Sequence, residues 1–278
     1  MAYHTIFVHL DTSARALHRF KLGTQLAHTH RSRLVGLFAG FAPETTWLYL
    51  MKEAAQYLKE DHARREARRD AVRQRFEQEM SDQSIEWEWR NVEGDPVTAV
   101  LREAREASLL IAGQFDANDP HSFVAPKFVE SLVLESGRPV LVVPSAGEFQ
   151  HVGQRALVAW DGGREAARAL HDALPLLAGS AVKLFCANTA AQALRADAAP
   201  VSHAARLLER QGATVSIHHS PAGADMVIGE RMLSCAADFD ADLIVMGAYG
   251  HGRFRELALG GVTRTLLASM TVPVLMAH

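Results

Sequence analysis

Cysteine is nearly absent, with two residues in 278. Cys186 and Cys235 both lie inside apolar segments, which excludes a disulfide framework and predicts buried, reduced thiols. The chain has no Cys-x-x-Cys pair, no Gly-x-Ser-x-Gly elbow and no histidine spacing suited to a metal. His218 and His219 are neighbours in a strand pattern, so they point to opposite faces and do not share an ion. His28 and His30 fall near a helix end, where they serve as polar surface or dipole partners. No nucleophile–base pair stands out, so catalysis is the least favoured reading. Charge of one sign is also lacking. Lys and Arg number 29 against 32 Asp and Glu, a formal charge of −3. That argues against nucleic acid or a membrane surface as the partner of the whole chain. No apolar run is long enough to span a bilayer. The N-terminus lacks a charged leader and enters a strand pattern at once, so a cytoplasmic protein is expected.

What is present is ordinary globular material, 48% hydrophobic and 22% charged, long enough for two domains. Short apolar runs alternate with helical patterns. Strands are predicted at Thr5–Leu10, Leu34–Ala39, Ile85–Val92, Leu109–Ala112 and Val140–Val143. Between them lie helices from about Ser13 to His30, Pro43 to Met80, Pro96 to Ala107 and Phe123 to Ser136. Asp11-Thr12-Ser13 reads as a turn and cap for the first helix. Lys59 to Glu79 is densely charged. It reads as a solvated helix face with i,i+4 pairs, or alternatively as a docking surface. Such alternation predicts a mainly parallel, doubly wound sheet.

Pro144 to Gln154 reads as a linker, and the pattern then restarts. Strands are expected at Arg155–Trp160, Val182–Ala187, Thr214–His218, Leu243–Met246 and Val272–Met276. Helices are expected at Gly162–Leu177, Ala198–Gln211, Asp225–Ala237 and Gly261–Met270. The halves are a repeat. Phe7-Val8-His9-Leu10-Asp11 aligns with Leu157-Val158-Ala159-Trp160-Asp161, and Phe7 to Leu157 is an offset of 150. Ser108 to Gly113 aligns with Asp242 to Gly247, and Gly113 to Gly247 is an offset of 134. The last strands of the halves, Val140–Val143 and Val272–Met276, are both apolar edge candidates and are expected to pair with each other.

The stretch from Val245 to Thr265 carries the functional signal. An apolar strand stops at Gly247; Gly250, Gly252, Gly260 and Gly261 follow, and then an apolar helix. Glycines admit backbone N–H groups close to an anion, and a helix N-terminus adds its dipole. By themselves the glycines fit a turn equally well. Gly247, two residues, Gly250, nine residues, Gly260 resembles the nucleotide loop of the universal stress protein family. With the repeat, the resemblance covers nearly all of the chain, as a tandem member. One departure is Gly261, which stands where that family has Ser or Thr; Thr263 is kept.

The resemblance implies an α/β fold of two tandem doubly wound domains, residues 1–145 and 154–278. Each is a five-stranded parallel sheet of order 3-2-1-4-5 flanked by helices. It also implies a cytosolic stress-response protein binding an adenine nucleotide, ATP with or without Mg, and at most slow hydrolysis. Asp161 would contact the ribose, with Ala159 and Trp160 before it on the strand. Ala187 would pair with adenine through its backbone, and Met246 would pack on the base. Gly247, Gly250, Gly260, Gly261, Val262 and Thr263 would cradle the phosphates. His251, Arg253 and Arg255 would add positive charge. In the first half the loop counterparts are Asp116 for Gly250, Pro126 for Gly260, Lys127 for Gly261 and Val129 for Thr263. Only Gly113 survives, so that loop is read as degenerate. The alternative reading is a nucleotide-independent interaction module using the charged helix. No membrane or nucleic-acid partner is expected. Pairing of the halves makes a pseudo-dimer within one chain, and dimerisation of whole chains stays open.

Overall fold

Ten short strands form one continuous sheet in the computed structural model, which describes residues 2–40, 54–187, 198–221, 225–248 and 260–278. The first half contributes β1 (Thr5–Leu10), β2 (Arg33–Phe38), β3 (Trp87–Asn91), β4 (Leu109–Gly113) and β5 (Val140–Val143). The second contributes β6 (Arg155–Ala159), β7 (Ala181–Ala187), β8 (Thr214–Ser220), β9 (Leu243–Gly247) and β10 (Val274–Ala277). Strand order is β3-β2-β1-β4-β5-β10-β9-β6-β7-β8, which contains the order 3-2-1-4-5 twice, the second time reversed. Every pairing within a half is parallel. The junction is antiparallel, with Leu275 opposite Leu141 and Val274 opposite Val142. Each terminal apolar strand thus covers the other's edge.

The helices are α1 (Ala16–His30), α2 (Ala54–Met80), α3 (Pro96–Ala104), α4 (Phe128–Glu135), α5 (Arg164–Leu177), α6 (Val201–Arg210), α7 (Asp225–Asp238) and α8 (Gly261–Ser269). Strand side chains alternate between two buried clusters, one per sheet face. Ile6, Val8, Leu10, Leu141, Val158, Val245 and Leu275 lie in one cluster. Phe7, Val140, Val142, Leu157, Ile244, Val274 and Met276 lie in the other. Both clusters run on through the β5–β10 junction from one half into the other. Burial on both faces explains why these strands read as unbroken apolar runs.

Of the expected boundaries that shift, three do so for a plain local reason. Helix α1 starts at Ala16, not Ser13, because Asp11 accepts hydrogen bonds from the Ser13 N–H and hydroxyl and closes a turn ahead of the helix. The helix expected from Phe123 is shortened at its start: a 3-10 turn at Pro120–Ser122 precedes it, and α4 begins only at Phe128. Pro126 offers no N–H, and Lys127 caps α4 in the left-handed conformation. Helix α5 begins at Arg164, two residues late, because Asp161 engages the Gly163 N–H.

The charged helix α2 buries a few apolar residues, Leu58 towards one end and Phe76 and Met80 at the other, and is otherwise largely solvated. Phe76 packs against Phe20 and Trp89. It lies over Gly36, where any Cβ would strike its ring. The exposed face pairs with itself, as Arg65–Asp61 at 2.9 Å and Arg73–Glu77 at 2.8 Å. This matches a solvated face with i,i+4 pairs. Of the longer expected helix, residues 43–53 lie outside the described residues.

Candidate functional sites at the two switch points

Strand order reverses between β1 and β4 in the first half and between β6 and β9 in the second. The carboxyl ends of strands at such points form a crevice in open α/β sheets. In the second half, β6 pairs with β9 on one side and β7 on the other. Ala159, Asp161, Ala187 and Gly247 therefore lie at one end of three neighbouring strands. Ala159 and Ala187 are half-buried, while Trp160 and Met246 are buried. The Trp160 indole N–H donates to the Ala199 carbonyl at 3.1 Å, which turns the ring back into the protein. Asp161 is half-buried, and its Oδ1 accepts from the Gly163 N–H at 2.8 Å.

Gly247 has a packing reason that the loop spacing did not reveal. A Cβ there would meet the Ala166 nitrogen and the Glu165 carbonyl carbon, each at 2.5 Å. The glycine lets the end of β9 lie against the first turn of α5. Gly260 is the N-cap of α8, and no side chain caps the helix. Among the described residues, a Cβ at Gly260 meets nothing within 4 Å. Gly261 is the first helical residue and is not among the left-handed glycines. Val262 is half-buried, and Thr263 is buried at 3% exposure, on the inner side of that turn. Gly250, His251, Gly252, Arg253 and Arg255 lie outside the described residues.

The first half holds a different arrangement at the equivalent place. Asp11 makes the same turn as Asp161, bonding the N–H two residues on at 2.9 Å. Its other oxygen is taken by Arg19, whose Nη2 donates at 2.7 Å, and both side chains are buried. Arg19 Nε also donates to the His9 carbonyl at 3.2 Å. The guanidinium fills the space beside Gly113, where any Cβ would overlap it. His9 is 2% exposed and donates from Nε2 to the Ala39 carbonyl at 2.8 Å. Its Nδ1 stands 4.0 Å from Asp11 Oδ2.

Ionisation follows from this packing. Burial pushes the His9 imidazolium down to about 4, against the pull of Asp11, and Arg19 pushes it further the same way. Burial alone would raise Asp11, but Arg19 and His9, with the Ser13 hydrogen bonds, hold it below the ordinary carboxylate value. At neutral pH the cluster is an ion pair beside a neutral histidine. The sequence reading passed over Arg19 and gave His9 no role. The signal was in the repeat: by the offset of 150, Arg19 matches Ala169 and His9 matches Ala159. Polar groups in one copy at apolar positions of the other mark a site that has changed.

Among the described residues, no group of three or more His, Cys, Asp or Glu is placed to hold a metal ion. Among the same residues, no helix is long and apolar enough to cross a membrane. Both cysteines are free and buried, and burial raises both thiols, Cys186 to about 11.

Two doubly wound α/β units fused through their last strands define the class, a tandem repeat with one crevice per half. Comparison with known proteins then supplies the family. The model of the universal stress protein family matches residues 2–144 and again 153–278, so the chain belongs to that family. Universal stress protein Slr1230 of Synechocystis is 26% identical over 197 residues. That match covers 66% of this chain and 59% of the Synechocystis protein. In three dimensions the chain resembles a universal stress protein from Archaeoglobus fulgidus, with TM-score 0.70 and 17% identity, over 98% of this chain and 95% of that one. A functionally unknown protein from Pseudomonas aeruginosa, PA1789, follows at TM-score 0.57 and 17% identity, over 99% and 92%.

Proposed function

We propose that the second half binds an adenine nucleotide, ATP, in a cytoplasmic stress-response setting, while the first half has lost its nucleotide loop. The observation that carries this is the contrast between the two aspartates. Asp11 is sealed under Arg19. Asp161 makes the same turn but is half-buried, and Ala169 replaces the arginine. A carboxylate at a switch point can accept hydrogen bonds from both ribose hydroxyls. The start of α8 suits a phosphate: among the described residues, the N–H groups of Gly261, Val262 and Thr263 meet no side-chain cap and nothing crowds Gly260. Mg, where it accompanies the nucleotide, supplies charge neutralisation on the phosphates. Asp161 is the one carboxylate among the residues named for the site that could share it.

The experiment is calorimetry with ATP on the native chain and on Asp161→Ala. Binding by the native chain, weakened in the variant, is expected. A folded native chain that binds no ATP at millimolar nucleotide would leave the interaction-module reading, with α2 as its surface. That reading is less well supported, because the charges of α2 are largely paired along the helix itself.

A further inference from the structure

The first half keeps a cavity of about 620 Å³ at its switch point, within the range of small-molecule sites. Its lining is unlike a nucleotide site. His9 and Asp11 contribute from the end of β1, and Phe115, Phe123, Phe128 and Val129 supply apolar surface. Phe115 is 55% exposed and meets Phe123 edge to face, with centroids 6.1 Å apart. The two rings give this wall of the cavity a flat aromatic surface. Arg264 and Leu267 of α8 close one side, so the cavity takes residues from both halves. Gln114 fixes that closure: its Nε2 donates to the Leu267 carbonyl at 2.8 Å, and its Oε1 accepts from the Ser145 N–H at 3.0 Å.

Charge and hydrogen-bond polarity define what fits. Lys127 and Arg264 are balanced by Asp116 and Glu130 in the lining, and Asp11 is balanced by Arg19. The balanced lining offers no net attraction to an ion such as a polyphosphate. The neutral imidazole of His9 already donates from Nε2 to Ala39, so Nδ1 presents a lone pair. Asp11 Oδ2, 4.0 Å away, is engaged by the Arg19 guanidinium, which leaves Nδ1 as the acceptor. The polar part of the cavity therefore asks for a donor, and the remainder asks for flat apolar surface.

We propose that this cavity binds a neutral aromatic molecule carrying one O–H or N–H group, a phenol-class ligand, with the donor on His9 Nδ1 and the ring against Phe115, Phe123 and Phe128. The site is separate from the nucleotide site proposed for the second half and does not depend on it.

The test uses the full chain with two probes, 2-naphthol and its O-methyl ether, followed by naphthyl fluorescence and by ligand-detected NMR at pH 7.5. Saturable binding of 2-naphthol is expected, with the ether, which lacks the donor, bound about fivefold to tenfold more weakly. His9→Phe should abolish that preference. Phe115→Ala, at an exposed position that does not threaten folding, should weaken both probes several-fold. ATP should not displace the naphthol. Equal affinity for the two probes overturns the assignment. So does competition by ATP, insensitivity to Phe115→Ala, or absence of naphthol binding to folded protein.

Discussion

Arg19→Ala turns the first-half cluster into the pattern of the second half, where Ala169 occupies that position. It leaves Asp11, 3% exposed, without the guanidinium that donates to it at 2.7 Å. Removing one partner of a buried ion pair costs about 3–5 kcal/mol, since the remaining charge keeps its desolvation penalty. Asp11 retains the Ser13 N–H and hydroxyl, which places the expected loss near the lower figure, ~3 kcal/mol. Asp11→Asn alone leaves Arg19 buried and unpaired and should cost a similar amount. The double variant should cost clearly less than the sum, with a coupling of about 2 kcal/mol or more. Urea unfolding followed by tryptophan fluorescence reads all three, with Trp87 and Trp89 reporting on the first half. The Arg19→Ala penalty should also shrink as the pH falls from 7 toward 5. Without the arginine, burial raises Asp11 and the charge of Asp11 raises His9, so both take up protons more readily in the variant's folded state. A loss below about 1 kcal/mol at pH 7, or two additive single losses, would refute the buried-pair argument.

Other outcomes follow from the same structure. His9 has its folded value near 4 against an ordinary 6.5. The unfolded chain thus binds more protons between those values, and stability present above pH 6.5 should fall by about 3 kcal/mol as the pH drops toward 4; His9→Asn should lose that part of the slope in a pH series of unfolding curves. Gly261→Ser adds a hydroxyl at a helical position and should tighten ATP binding several-fold to about tenfold, the worth of one neutral hydrogen bond; unchanged calorimetric affinity would place the phosphates elsewhere. Phe76→Ala opens a hole between α2 and Gly36 and should cost about 3–5 kcal/mol, visible as an earlier urea midpoint. Leu275→Asp sets a charge in the buried junction opposite Leu141 and should destabilise both halves together, because both buried clusters run through the junction; unchanged protection of the first half by hydrogen exchange would contradict that.

The local signals in the chain were enough for much of the architecture. Apolar runs at Thr5–Leu10 and Leu243–Met246, punctuated by glycine and capped helices, specify strands and helices because burial and hydrogen bonding act over a few residues. The offsets of the repeat carried the topology of one half onto the other, and two uncovered apolar edges implied the β5–β10 junction. What stayed hidden depended on side chains brought together from distant positions. Arg19 reads as one more surface charge on a helix until the fold lays α1 over Asp11 and Gly113. The packing role of Gly247 shows only once the end of β9 meets the first turn of α5. The first-half cavity exists only because α8 of the second half closes a crevice lined by β1 and the Gly113–Val129 segment. Short-range propensity acts along the chain, but burial of a charge, a close backbone approach and a cavity wall are properties of three-dimensional packing, and only the tertiary structure decided them.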